Sequence, residues 1–128
     1  MQMHLMVGFK YLFSEETATL IQNKKESDAY IENLKVRMTK ETEPDIIALH
    51  TRSIECSTRA NTMRDFILAY RNTAPYKKRM TRISRLTKEL NLPKWRTDVM
   101  KADAQKNSTQ EAWEQWVAHR MALPSAPG

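Results

Sequence analysis

The sequence predicts a mostly α-helical domain, and three observations support this prediction. Glycine occurs only twice in 128 residues, which leaves few of the tight turns that an all-β fold requires. Residues 15–40 contain neither glycine nor proline. Apolar residues between 44 and 71 recur every three or four positions, the spacing of one helix face. We therefore expect a single helical domain over residues 1–123 and a flexible tail over residues 124–128.

The first thirteen residues carry an apolar side chain at every odd position, from Met1 to Phe13. This alternation predicts a short strand with one buried face. Met6 and Leu12 interrupt the alternation, and an apolar arm or a short helix fits these residues almost as well. We expect an N-terminal apolar arm or short strand, with Ser14 as the N-cap of the helix that follows.

The next two segments predict a long antiparallel helical hairpin. Pro44 suits the first turn of a helix that continues to residue 71 and is about 40 Å long. The preceding helix is nearly as long, so the two are expected to pack side by side. Beyond them, Pro75, Pro93 and a capping box at Ser108 and Glu111 predict three shorter helices, with a loop over residues 104–108.

The second long helix carries a coiled-coil-like seam that runs from Ile46 to Tyr70 and has small or polar residues at its centre. The seam can pack against another helix of the same chain or against a second copy of the chain, so a homodimer is one expectation. Trp113 and Trp116 form an apolar stripe that fits either the core or a partner surface, and Trp95 between two cations has no clear assignment. The residues predicted to contact a protein partner are Ile46, Leu49, Cys56, Met63, Ile67, Trp113 and Trp116.

Positive charge is concentrated in the middle of a chain whose net charge is +6. Seven basic residues and no acidic residue lie between Asp65 and Glu89. On a helical wheel, Tyr76, Met80 and Ile83 share one side of the third helix, and five cations occupy the opposite side. This pattern is typical of a helix that contacts phosphates. The predicted nucleic-acid-binding residues are Lys77, Lys78, Arg82, Arg85 and Lys88, with Arg79 and Arg71 beside them.

These patterns predict a non-enzymatic nucleic-acid-binding or ribonucleoprotein subunit that contacts the phosphate backbone with little sequence preference. The same charges also fit a solvated face that pairs with the acidic segment 26–43 or with a protein partner. The protein would then be a helical scaffold or accessory subunit of an assembly. An anionic membrane surface is the least expected partner of these charges. The longest apolar stretch, within residues 1–13, is too short and too polar to span a bilayer.

Catalytic chemistry has little support in the sequence. His4, His50 and His119 are far apart, and no histidine belongs to a cluster with metal-ligand spacing. No nucleotide or cofactor motif is present, so we expect neither an enzyme nor a bound cofactor. Cys56 is the single cysteine and cannot form a disulfide within the chain. We therefore expect the cytoplasm or another intracellular reducing compartment, with an organelle matrix as an open alternative.

Overall fold

The computed structural model describes residues 2–122, and it describes the side chains of residues 5–120. Within this range the chain is mostly α-helical, as predicted, and it contains no strand. The predicted tail at residues 124–128 lies outside the described residues. The five helices are α1 (Gln2–Phe13), α2 (Thr17–Met38), α3 (Pro44–Arg71), α4 (Ala74–Glu89) and α5 (Lys94–Ala122). None of them is long and apolar enough to cross a membrane over the described residues.

Helix α1 replaces the predicted N-terminal strand or arm, so the strand interpretation was wrong. Phe9, Leu12 and Phe13 are buried, and their spacing of three and four is that of a helix face. Two odd-numbered apolar residues are exposed instead. Ser14 is not an N-cap: its Oγ donates a hydrogen bond of 2.6 Å to the carbonyl oxygen of Tyr11 at the end of α1. Helix α2 has Glu16 as its N-cap residue.

The chain divides into two compact units, and one of them is Glu15–Phe66. It contains α2 and the first part of α3. Lys24 Nζ lies 3.0 Å from Asp65 Oδ1, and Asn61 Nδ2 donates a hydrogen bond of 2.9 Å to Asp28 Oδ1. These two pairs join α2 and α3 with opposite chain directions. The predicted pairing of the two helices along their full length stays a prediction.

The other unit comprises residues 2–14 and 67–122, and its core is aromatic. The ring centroid of Phe9 lies 5.6 Å from that of Trp113 and 6.3 Å from that of Trp116. The Phe13 ring meets Tyr70, at the end of α3, with a centroid distance of 5.8 Å. Side chains from α1, α3 and α5 therefore form one cluster. Edge-to-face and tilted arrangements of this kind are the favoured geometries for aromatic pairs.

Helix α5 is continuous, whereas two helices separated by a loop at residues 104–108 were predicted. Ala104, Ser108 and Ala112 are buried at a spacing of four, so the segment has an inward face made of small residues. Polar residues of the same segment, such as Asp103 and Lys106, are exposed on the other side of the helix. The chain after α3 thus forms two helices rather than three, and the prediction was wrong because a solvated helix face resembles a loop in composition.

Helix α4 ends in a well-defined turn that leads directly into α5. Asn91 adopts a left-handed backbone conformation with φ of 49°. The backbone N–H of Leu92 donates to the carbonyl oxygen of Thr87 at 3.1 Å, and that of Asn91 donates to Lys88 at 3.4 Å. This is the Schellman pattern of hydrogen bonds, which satisfies two carbonyl groups at the end of the helix. The turn fixes how α5 leaves α4.

Candidate nucleic-acid interface

Helix α4 packs against α5 by one face and exposes the opposite one. Ile83 is buried, and the hydroxyl oxygens of Thr87 on α4 and Thr97 on α5 are 3.2 Å apart. These contacts fix the rotation of α4 about its own axis. The side chains on the other side of the helix are all exposed, and we call them the basic face: Lys77, Lys78, Arg82, Arg85 and Lys88.

The basic face is hardly neutralised by acidic side chains. The Nε atom of Arg85 lies 3.9 Å from Oε1 of Glu89, and both side chains are largely exposed. Such a long and solvated ion pair contributes little free energy. The other four cations of the basic face form no ion pair with another residue in the part of the chain that the structure describes. At 1.5 Å per residue, the five cations extend over about 16 Å of helix.

Arg79 was predicted to lie beside the basic face, but the structure directs its guanidinium inward. Its Nη1 donates a hydrogen bond of 2.6 Å to Ser108 Oγ, and its Nη2 lies 3.3 Å from Glu111 Oε2. Burial lowers the pKa of Arg79, but the hydrogen bond that Arg79 donates to Glu111 and the proximity of Tyr70 outweigh it, and the net shift is upward. Arg79 therefore joins α4 to α5.

Arg71 is also engaged inside the fold. Its Nη2 donates a hydrogen bond of 2.6 Å to the carbonyl oxygen of Phe13, and its guanidinium carbon lies 5.3 Å from the centre of the Phe13 ring. Burial lowers the pKa of Arg71, although the guanidinium stays protonated at every accessible pH. The seven predicted cations thus divide into five on the basic face and two that hold helices together.

A partly buried polar network continues from Arg79 to the end of α3. The Tyr70 hydroxyl donates a hydrogen bond of 3.1 Å to Oε1 of Glu111. Burial raises the pKa of Tyr70, and the hydrogen bond to Glu111 raises it further. Ser108 and Glu111, which the sequence presented as a capping box, serve instead as partners for Arg79 and Tyr70. Their spacing of three places both on one face of a continuous helix, and this was the signal available in the sequence.

The residues predicted to contact a protein partner fall into a buried set and an exposed set. Met63, Ile67, Trp113 and Trp116 are buried, so they offer no surface to a partner. In the tryptophan stripe, the core interpretation therefore replaces the docking interpretation. The first half of the seam is different: Leu49 retains 62% of its accessible surface, and Ile46 and Cys56 are exposed as well.

An open groove of about 500 Å³ lies between α4 and α5, and Met80, Ser84, Lys101 and Gln105 are among its lining residues. It holds no pairing of a nucleophile with a base. Among the described residues there is also no group of three histidine, cysteine or acidic side chains placed to hold a metal ion. Comparison with protein families, with characterised proteins and with solved structures finds no match for the chain. The function of the basic face therefore has to be inferred from the residues of the chain itself.

Proposed function

We propose that the protein is a non-enzymatic nucleic-acid-binding subunit that contacts phosphates through the basic face. One observation supports this proposal above the others. Helix α4 is held to α5 by its apolar side, and this leaves five exposed cations on a rigid helix. Such an arrangement binds a polyanion without first having to order the side of the protein that carries the charge.

The expected mode of binding follows from this chemistry. Lysine and arginine side chains that contact phosphate oxygens release condensed counterions, and this release drives association. Because phosphates are the same at every nucleotide, contacts of this kind carry no direct information about sequence. We expect broad binding of nucleic acid that weakens steeply with salt. A subunit of a ribonucleoprotein is a role that would use this property.

The test is fluorescence anisotropy with a labelled 20-base-pair DNA duplex and a labelled 20-nucleotide single-stranded RNA at about 50 mM salt. The variant Arg82→Glu/Arg85→Glu reverses two charges of the basic face and is expected to abolish binding. The matched control Lys25→Glu/Lys40→Glu reverses two exposed lysines of α2 and the loop after it, and it is expected to retain most of the affinity. Equal losses in the two variants would assign binding to net charge alone. No binding by the unmodified protein would overturn the proposal.

A second candidate function is a helical scaffold or accessory subunit, and the exposed first half of the α3 seam supports it. Ile46 and Leu49 lie on the same helix as the buried Met63, yet they face solvent in the single chain. In this interpretation α2 and α3 form an antiparallel hairpin, and the exposed first half of the α3 seam docks on a partner or on a second copy. The test is light scattering over a concentration series. A dimer that Leu49→Glu dissociates would support this candidate, and a monomer at every concentration would exclude the homodimeric form.

A further inference from the structure

The groove between α4 and α5 is open in the single chain and has an apolar floor. Its volume is about 500 Å³, and it is lined by Met80, Ile83, Ser84, Lys101, Ala102 and Gln105. Ile83 is buried at the floor, whereas Ser84 and Ala102 are exposed on the two walls. The packing of α4 on α5 therefore forms the groove in advance, and no rearrangement is needed to open it.

The groove begins where α1 ends on the surface of α5. Phe9 packs against Trp113 and Trp116 near the end of α5. The carbonyl oxygen of Phe13 accepts a hydrogen bond of 2.9 Å from Gln105, which is also a lining residue of the groove. Helix α1 therefore runs antiparallel to α5 and stops beside Gln105. The groove continues the surface that α1 occupies.

The face of α5 that α1 covers stays apolar beyond the end of α1, but there it is exposed. Trp95 lies 18 positions before Trp113, which is about five turns of an α-helix, so both indoles lie on the same side of α5. Trp113 is buried, whereas Trp95 retains 68% of its accessible surface. Ala102 of the groove lies two turns after Trp95 on the same side. The open apolar stretch from Gln105 to Trp95 is about 15 Å long.

The charges beside this stretch are mainly positive. Lys101 lines the groove, and Lys94 lies two turns before it on the same side of α5. Lys88 lies one turn after Ser84 on α4. All three lysines are exposed, and none forms an ion pair with another residue in the described part of the chain. Asp98 contributes an opposing negative charge on the same stretch of α5. A molecule that complements this surface combines apolar groups with negative charge.

We propose that the stretch from Gln105 to Trp95 is a docking groove for an acidic amphipathic helix of a protein partner. Helices bind in such grooves through apolar side chains spaced by three and four residues. A helix of about ten residues spans 15 Å, and it would lie in line with α1 on the same face of α5. Glutamate and aspartate beside its apolar side chains would pair with the three lysines. This proposal goes beyond the proposed function, because its apolar contacts lie outside the basic face.

The experiment uses a labelled synthetic peptide of about 14 residues, with blocked ends, in fluorescence anisotropy against the whole protein. Leucine recurs every three or four positions in this peptide, and the other positions are glutamate and alanine. We expect saturable binding. A peptide with lysine in place of glutamate should bind at least about ten-fold more weakly, because its charges repel the lysines of the groove. A peptide of the same composition in scrambled order should also bind weakly, because it has no apolar face.

Two pairs of variants locate the site on the protein. Ala102→Trp fills the groove from an exposed position and should weaken peptide binding by roughly ten-fold or more. Its matched control is Ala118→Trp, which adds the same ring at an exposed alanine of α5 outside the groove and should bind normally. Lys101→Glu should weaken binding, whereas the same charge reversal in Lys25→Glu, on α2, should not. Circular dichroism would confirm that all four variants fold.

Four outcomes would overturn the proposal. The first is no saturable binding of the acidic peptide, and the second is equal binding of the acidic and lysine peptides. The third is an equal loss of peptide binding in Ala102→Trp and Ala118→Trp. The fourth is a different occupant: loss of RNA binding in Ala102→Trp would assign the groove to nucleic acid, and a dimer that Ala102→Trp dissociates would assign it to a second copy. RNA binding that Ala102→Trp leaves unchanged would keep this groove separate from the basic face.

Discussion

Arg71 contacts Phe13 in two ways, through a hydrogen bond of 2.6 Å to its carbonyl oxygen and through its ring at 5.3 Å. The same carbonyl oxygen accepts a second hydrogen bond, of 2.9 Å, from Nε2 of Gln105 on α5. The last carbonyl groups of a helix have no partner within it, so both side chains satisfy a group that α1 leaves open. Arg71 and Gln105 thereby fasten the end of α1 to α3 and α5.

The first prediction concerns Arg71 itself. Arg71→Ala removes a charged hydrogen bond and a cation–π contact, and it should lower the free energy of unfolding by about 1–3 kcal/mol. Thermal unfolding followed by circular dichroism should show a midpoint several degrees lower. Arg71→Lys keeps the charge but not the planar group, and it should recover only part of the loss. Unchanged stability together with weaker binding of nucleic acid would place Arg71 in the binding surface instead.

The second prediction is a dependence of stability on alkaline pH. Burial and the hydrogen bond to Glu111 raise the pKa of Tyr70 above its ordinary value of 10.0. Above that pH the unfolded chain loses the phenol proton while the folded chain retains it. The stability that Tyr70 contributes is therefore complete below about pH 10 and is lost as the pH rises through the pKa of the folded state. Urea unfolding should show a steeper decline as the pH rises above about 10 in the unmodified protein than in Tyr70→Phe.

Two features of the experiment separate Tyr70 from other titrating groups. The remaining tyrosines and the lysines are the same in both proteins, so the difference between the two pH profiles belongs to position 70. Tyr70→Phe should also be less stable at neutral pH by about 1 kcal/mol, because Glu111 loses a hydrogen-bond donor while retaining Arg79. Parallel pH profiles for the two proteins would show that Tyr70 has an ordinary pKa and would contradict the network.

The sequence indicated the helical class well, because helix periodicity and the breaks at proline are local properties. The predicted start and end of the second long helix match Pro44–Arg71. Helix α1 was misinterpreted because its apolar residues fit both the two-residue period of a strand and the 3.6-residue period of a helix. Only packing against the rest of the chain decides between the two. The loop predicted at residues 104–108 failed because Ala104 and Ser108 are small, and a buried face of small residues has no apolar signature in the sequence.

The candidate site was predictable to the extent that it depends on one helix. A helical wheel gives the angular position of each cation, and the five residues of the basic face are exposed as the wheel predicts. Arg71 and Arg79 could not be assigned in this way, because their partners come from distant parts of the chain. Glu111 lies 32 residues after Arg79, and Phe13 lies 58 residues before Arg71. Trp95, which is largely exposed, had no assignment because the burial of a single residue on α5 depends on how that helix packs against the others.

The third prediction separates the basic face from these two inward arginines by salt dependence. Five phosphate contacts correspond to a slope of about −4.5 in a plot of log affinity against log salt for duplex DNA. Arg82→Ala and Lys78→Ala should each reduce the magnitude of the slope by about 0.9. Arg79→Ala should leave the slope unchanged while lowering stability, because its guanidinium contacts Ser108 and Glu111. A smaller slope for Arg79→Ala would mean that this guanidinium also contacts phosphate.

The fourth prediction tests whether α2 and α3 pair as an antiparallel hairpin. Asn61 is buried, donates to Asp28 at 2.9 Å and accepts a hydrogen bond of 2.7 Å from Nη1 of Arg64. A double-mutant cycle between Asn61→Ala and Asp28→Ala should give a coupling of about 1 kcal/mol in urea unfolding, because the two groups share a hydrogen bond. The control cycle of Asn61→Ala with Glu32→Ala, one turn along α2, should give a coupling near zero. A coupling near zero in both cycles would contradict the pairing, and the α3 seam would then have to close against another chain.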